Sequence, residues 1–288
     1  MFEEMPARYL FGFLALSVMV SVIILFEISA NSLLIDVVVQ LVLYVVVPVL
    51  YFGYHFRKQK KRITTVVFMS GVDRWVLIIV GLVLLSFMFS ASMLWFRMYL
   101  LLPLAPWLVD FMLEPPPSPG GSYYVIFTVI VISVIGPIAE EFIFRGVLLK
   151  RLIAKTTMWS GVLISSLFFG ILHSDILGAF LFGVVASLLY LRTNNLLVPI
   201  MFHAVNNSLA ALFMFVPDAR PEWLFFFTSA EVYSRALPYA TMLIGSAGLT
   251  AWAIIRLSKG LDQKLKDEAY ARLDLPDDEP EKELRDVL

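Results

Sequence analysis

Eight apolar stretches follow one another along this chain, at about residues 9–27, 33–55, 75–102, 123–149, 158–173, 176–192, 196–216 and 237–257. An α-helix needs roughly 20 apolar residues to cross a bilayer core, within a range of about 17 to 25. The repetition predicts an all-α polytopic membrane protein with about eight transmembrane helices and a polar intramembrane cavity. Composition agrees, because a chain of 288 residues that is 60% hydrophobic and 16% charged has too little polar surface for a water-soluble domain. The fifth and sixth stretches are short and nearly continuous. The first, preceded by Glu3 and Glu4 where a secretion signal would carry positive charge, reads as an uncleaved helix. Residues 1–257 thus form one membrane domain, and 258–288 a tail that is partly helical and disordered from about Leu275 onward.

Lysine and arginine predict the orientation, since cytoplasmic loops carry an excess of them. Arg57, Lys58, Lys60, Lys61, Arg62 and Arg74 lie between the second and third stretches, and Lys150, Arg151 and Lys155 between the fourth and fifth. Arg192 follows the sixth, and Arg256, Lys259, Lys264 and Lys266 follow the eighth. The opposite loops hold little beyond Arg97, Arg220 and Arg235. Both termini are therefore expected in the cytoplasm, and the membrane is expected to be the plasma membrane. A formal charge of −1 excludes nucleic acid as a partner, because nothing approaches a phosphate-binding surface. Without cysteine the chain has no disulfide, no thiolate nucleophile and no Cys-ligated zinc. Pro115-Pro116-Pro117 and Gly120-Gly121 read as a stiff connector with a flexible turn, and residues 216–235 as an interfacial or re-entrant piece. Ala179, Gly183 and Ser187, four residues apart, read as a helix-packing seam.

Ionisable groups inside membrane helices are costly and need a reason. The fourth stretch holds three, in Gly136-Pro137-Ile138-Ala139-Glu140-Glu141-Phe142-Ile143-Phe144-Arg145. The Gly-Pro pair is expected to disturb the helix before the acids and to free nearby carbonyls. Glu141 and Arg145, four apart, share a face and can pair. Glu140 points about 100° away and is left without an intrahelical cation. Of three histidines, His55 lies beside the basic loop, whereas His173 and His203 lie in apolar stretches. His203 and Asn207 stand one turn apart on one helix face. Together these side chains supply the parts of amide hydrolysis without a protein nucleophile: a carboxylate as general base to water, an imidazole to position that water, and an imidazole with an amide N–H for the oxyanion.

In order and spacing, Glu140-Glu141-x-x-x-Arg145, Phe169-x-x-x-His173 and His203-x-x-x-Asn207 resemble the motifs of the CPBP intramembrane proteases. That family includes the type II CAAX prenyl endopeptidases and bacterial relatives linked with bacteriocin processing or immunity. Residues 123–216 carry the resemblance. It implies that Glu140 activates water together with His173, that His203 and Asn207 bind the oxyanion, and that Glu141 and Arg145 support the site. The expected activity is that of a glutamate-type intramembrane endopeptidase, its cavity open toward the cytoplasm, acting on a lipidated C-terminal or membrane-associated peptide with neither cofactor nor metal. Two other readings compete. Glu140, His173 and His203 also make a plausible zinc ligand set. A transporter, immunity or scaffold protein would use Glu and His as a proton relay or binding site, with Asp36 and Gln40, one turn apart, as further members. A helix-to-helix polar contact is the simpler role for that last pair. One geometric difficulty arises: measured from Lys150, Glu140 lies about 15 Å deep, whereas His173 lies roughly 20 Å from Trp159, so the fifth helix must begin deeper, tilt or unwind near Gly170.

Overall fold

The computed structural model of the chain describes residues 1–28, 30–114, 121–226 and 228–273, and among them there is no strand. The principal helices are α1 (Ala7–Glu27), α2 (Ser32–Lys58), α3 (Asp73–Leu101), α4 (Ser122–Ile153), α5 (Met158–Ile171), α6 (Ile176–Thr193), α7 (Leu197–Phe215), α8 (Ala236–Ser258) and α9 (Leu261–Leu273). Among the described residues seven helices are long and apolar enough to cross a membrane; α5, with 14 residues, is not. Large apolar side chains such as Leu77, Leu237 and Ile244 point outward, as a fold solvated by lipid requires. The triple proline, Gly120 and the end of the tail fall outside the described residues.

Local chemistry sets the boundaries. Asn31 caps α2 by accepting from the Leu34 N–H, Thr157 caps α5 through Ser160, and Asp175 caps α6 through Gly178. α5 and α6 form an antiparallel hairpin whose helices approach closely. A side chain at Gly183 would meet Ser166 at 3.0 Å, so the small residue expected at a packing seam is required there. The four residues 172–175 turn the hairpin.

Both ends of the described chain meet the basic end of the bundle. Arg151, near the end of α4, donates to the carbonyls of Glu3 and Met5, and Gln59 donates to that of Met1. Lys264 of α9 donates to the carbonyls of Leu191 and Arg192 at the end of α6, and Arg192 donates to that of Lys259. At the opposite end a small apolar core of Trp95, Met98, Val109, Phe226, Val232 and Tyr239 ties the outer segments to α3 and α8. There the Trp95 indole donates to the Val232 carbonyl at 2.8 Å.

The two halves of the bundle are packed differently. Toward the basic end residues 141–149 of α4, 182–191 of α6 and 198–200 of α7 are all buried. Toward the other end the same helices loosen: in residues 122–138 of α4 and 204–215 of α7 exposed and half-buried positions predominate. Glu140, His173, His203 and Asn207 lie at the boundary between the packed half and the open half.

Candidate active site

Two stretches of α4 around the Gly-Pro pair, Val131–Ile135 and Phe142–Leu149, are wound in the wide i→i+5 form rather than the α form. Such turns are commonly found at functional sites. The Gly136 N–H donates to the Val131 carbonyl, five residues back. Continued by one residue, that register would pair the Ile132 carbonyl with residue 137, which is proline and has no N–H. The carbonyl so released accepts instead from the Asn207 amide at 3.0 Å. The disturbance expected at Gly136-Pro137 thus takes the form of a wide turn, and Asn207 fastens α7 to α4 at the group that proline leaves free.

The depth difficulty disappears because α4 does not stop at Lys150. It continues to Ile153, which places Glu140 about 20 Å from the end of the helix. α5 starts at Met158, and its 14 residues bring its far end about 21 Å in, next to His173. The two helices reach the same level, and α5 ends at Ile171, just past Gly170, so that His173 sits in the turn that follows.

Glu141, fully buried, is the anchor of the site. Its Oε1 accepts from the Arg145 guanidinium at 2.9 Å and lies 2.8 Å from Nδ1 of His203. The oxygen that accepts from Arg145 accepts here as well, so the imidazole nitrogen is the donor of that second bond. The pairing of Glu141 with Arg145 follows from their spacing; the bond to His203 does not. His173 is fixed in the same way, since its Nδ1 lies 2.8 Å from the Phe169 carbonyl, which can only accept. Each imidazole therefore commits Nδ1–H to a structural partner and turns Nε2 toward Glu140. The distances to Glu140 Oε2 are 4.0 Å from His173 and 3.7 Å from His203. That oxygen is buried and has no hydrogen-bond partner among the described residues.

Aromatic side chains hold this arrangement. The Phe169 ring lies 4.4 Å from the His173 ring and 5.6 Å from the His203 ring by centroids, and Arg145 sits 4.3 Å above it. Phe182 packs against His203 and stacks on Phe202. A further polar group comes from α2, where residues Val42–Val46 form another wide turn. From its centre the Tyr44 ring lies 3.8 Å from where a side chain on Gly136 would begin, and its hydroxyl faces Glu140, one turn further along α4. No motif marks Tyr44; only the contact with a glycine four residues before the acid reveals it.

The remaining candidates are placed elsewhere. Asp36 accepts from Gln40 and from the Tyr124 hydroxyl, each at 2.6 Å, so that pair forms a polar contact joining α2 to α4. The His55 ring lies beside those of Tyr51 and Tyr54, tilted to the first and edge-on to the second. Among the described residues no group of three His, Cys, Asp or Glu side chains is arranged to hold a metal ion.

Residues 122–209 match the family described as type II CAAX prenyl endopeptidase Rce1-like. This is the family to which the glutamate, histidine and asparagine motifs point. The chain is 38% identical over 92 residues to YdiL of Bacillus subtilis, a provisionally named membrane peptidase, covering 31% of this chain and 38% of that protein. It is 34% identical over 98 residues to the membrane-embedded CAAX protease MroQ of Staphylococcus aureus, covering 31% of this chain and 40% of that one. An Escherichia coli protein of 24.3 kDa without an assigned function is 35% identical over 97 residues, which cover 31% of this chain and 45% of the relative. The chain thus spans less than half the length of the curated relatives it matches. No solved structure matches it.

Proposed function

We propose that this chain is an intramembrane endopeptidase that hydrolyses a peptide bond with water activated by Glu140. The observation that carries the reading is the unpartnered, buried Glu140 Oε2 between two imidazole Nε2 atoms at 3.7 and 4.0 Å. A buried carboxylate oxygen is costly unless it has a partner, and the spacing leaves room for a water that bridges it to an imidazole. The likeness of residues 122–209 to CAAX endopeptidases supports the same reaction class.

In this mechanism water lies between Glu140 and His173. Its oxygen bonds to the substrate carbonyl carbon while its proton passes to Glu140. The carbonyl π pair moves to oxygen, and the resulting oxyanion faces His203 and Asn207. Asn207 has one amide hydrogen committed to Ile132 and one left to donate. His203 donates from Nε2 only when both of its ring nitrogens carry a proton. Collapse of the intermediate breaks the C–N bond, and the proton held by Glu140 passes to the leaving amine. Substrates are a membrane-associated or lipidated, CAAX-like peptide. Positive loops set the basic end, with both termini, in the cytoplasm of a cell whose plasma membrane holds the protein.

The test is cleavage by pure protein in detergent, with and without chelator, beside Glu140→Gln. Wild-type activity unaffected by chelator and lost in the variant is the expected result. Loss with chelator and recovery with zinc would replace the mechanism with a metal-dependent one using Glu140, His173 and His203. Activity retained in Glu140→Gln would remove both.

A further inference from the structure

The hairpin that carries His173 is too short for the membrane. With 14 residues α5 rises about 21 Å, against a hydrocarbon core of ~30 Å. Its tip, residues 172–175, therefore ends about two-thirds of the way across, measured from the basic end. Beyond the tip neither α5 nor α6 continues, and in the neighbouring halves of α4 and α7 exposed and half-buried positions predominate among the described residues. Leu172 at the tip is 70% exposed, and the His173 side chain 36% exposed.

The polar side chains at the tip identify what meets it. Arg97, close to the far end of α3, pairs with Asp175 of the tip at 3.2 Å, and both side chains remain about one-third exposed. An ion pair left open to acyl chains is costly, whereas one open to water is ordinary. On the opposite side of the site the described residues are closely packed: residues 141–149 are buried without exception, and Phe2 and Met5 fill the space beside Phe142 and Arg151.

From these observations we infer that substrate reaches the site through a water-filled recess at the end of the bundle opposite the basic loops. Resting on the endopeptidase reading and on the orientation given by the positive loops, this assigns as substrate a polypeptide presented from the extracytoplasmic side. It reverses the cytoplasmic opening expected from the sequence. A translocated peptide, or the outer segment of a membrane protein, enters as an extended strand past Leu172 and Asp175, with its scissile carbonyl near Glu140.

The absence of cysteine makes the test direct. Single variants Ser174→Cys and Leu172→Cys are exposed to a charged, membrane-impermeant maleimide in spheroplasts and in inverted vesicles, with Lys60→Cys marking the basic side and Gly121→Cys the other. Ser174→Cys and Leu172→Cys are expected to label together with Gly121→Cys. Labelling together with Lys60→Cys, or from neither side, would overturn the inference. Since labelling does not depend on turnover, a chain that labels as expected but never cleaves a peptide refutes the endopeptidase reading alone. Where cleavage is present, a bulky maleimide on Ser174→Cys from the far side is expected to abolish it, and undiminished cleavage would also overturn the inference.

Discussion

Replacing Glu141 by glutamine tests the division of labour between two adjacent carboxylates. In the wild-type structure Glu141 Oε1 accepts two charge-assisted bonds, from Arg145 at 2.9 Å and from His203 at 2.8 Å, and all three side chains are almost completely buried. Glutamine keeps the shape and one acceptor but removes the charge, leaving a guanidinium in a low-dielectric site with only the Phe169 ring beneath it. Breaking a buried pair in this way costs about 3–5 kcal/mol. Among the described residues Glu140 has no salt bridge to Arg or Lys and its Oε2 has no hydrogen-bond partner, so Glu140→Gln breaks no such bond and is expected to leave stability nearly unchanged. Thermal unfolding in one detergent, followed by intrinsic fluorescence, should therefore place Glu141→Gln well below wild type and Glu140→Gln beside it. Cleavage should fall in both, from lost orientation of His203 in the first and from loss of the base in the second. A melt in which Glu140→Gln is the less stable of the two would refute the assignment of anchor and base.

Asn207→Ala removes the proposed oxyanion donor and is expected to cost about 10² to 10³ in kcat with KM nearly unchanged; it also strands the Ile132 carbonyl, so the melting temperature should fall as well. Tyr44→Phe keeps the ring against Gly136 and deletes only the hydroxyl that faces Glu140. A lowered kcat with an unaltered melting temperature is expected, and unaltered kcat would show that Tyr44 does no more than pack.

The features legible in the sequence are those that depend on spacing along one helix. The lengths of the apolar stretches marked the spans, four-residue spacing paired Glu141 with Arg145, and the same spacing put His203 and Asn207 on one face. What escaped depends on neighbours from other helices. Nothing around Tyr44 distinguishes it from other aromatics of an apolar span. Its approach to Glu140 exists only because α2 packs against Gly136. The bond from His203 to Glu141 joins α7 to α4, and the choice of Nδ1 as its donor follows from Arg145 on the other side of the same oxygen. The i→i+5 turns at Val42–Val46, Val131–Ile135 and Phe142–Leu149 have no residue pattern of their own. Their positions are set by contacts, with proline explaining only the release of one carbonyl.

That carbonyl permits a test in which stability and activity move in opposite directions. Proline is about 3 kcal/mol worse than alanine in a helix interior, chiefly because it lacks an N–H and crowds the preceding turn. Pro137→Ala restores the N–H at the position from which the wide turn would engage the Ile132 carbonyl. A helical bond to that oxygen competes with the amide of Asn207, which now holds it at 3.0 Å. The backbone of α4 gains a partner while Asn207 loses the contact that aims it. The variant is therefore expected to melt at or above the wild-type temperature and to lose cleavage in kcat rather than in KM, in the same direction as Asn207→Ala but without its loss of stability. The double variant Pro137→Ala with Asn207→Ala separates this from a general change in helix shape, because the two losses should then fail to add. Full activity in a stabilised Pro137→Ala protein would show that Asn207 needs no anchor on Ile132, and the function assigned to the Gly-Pro pair would be wrong.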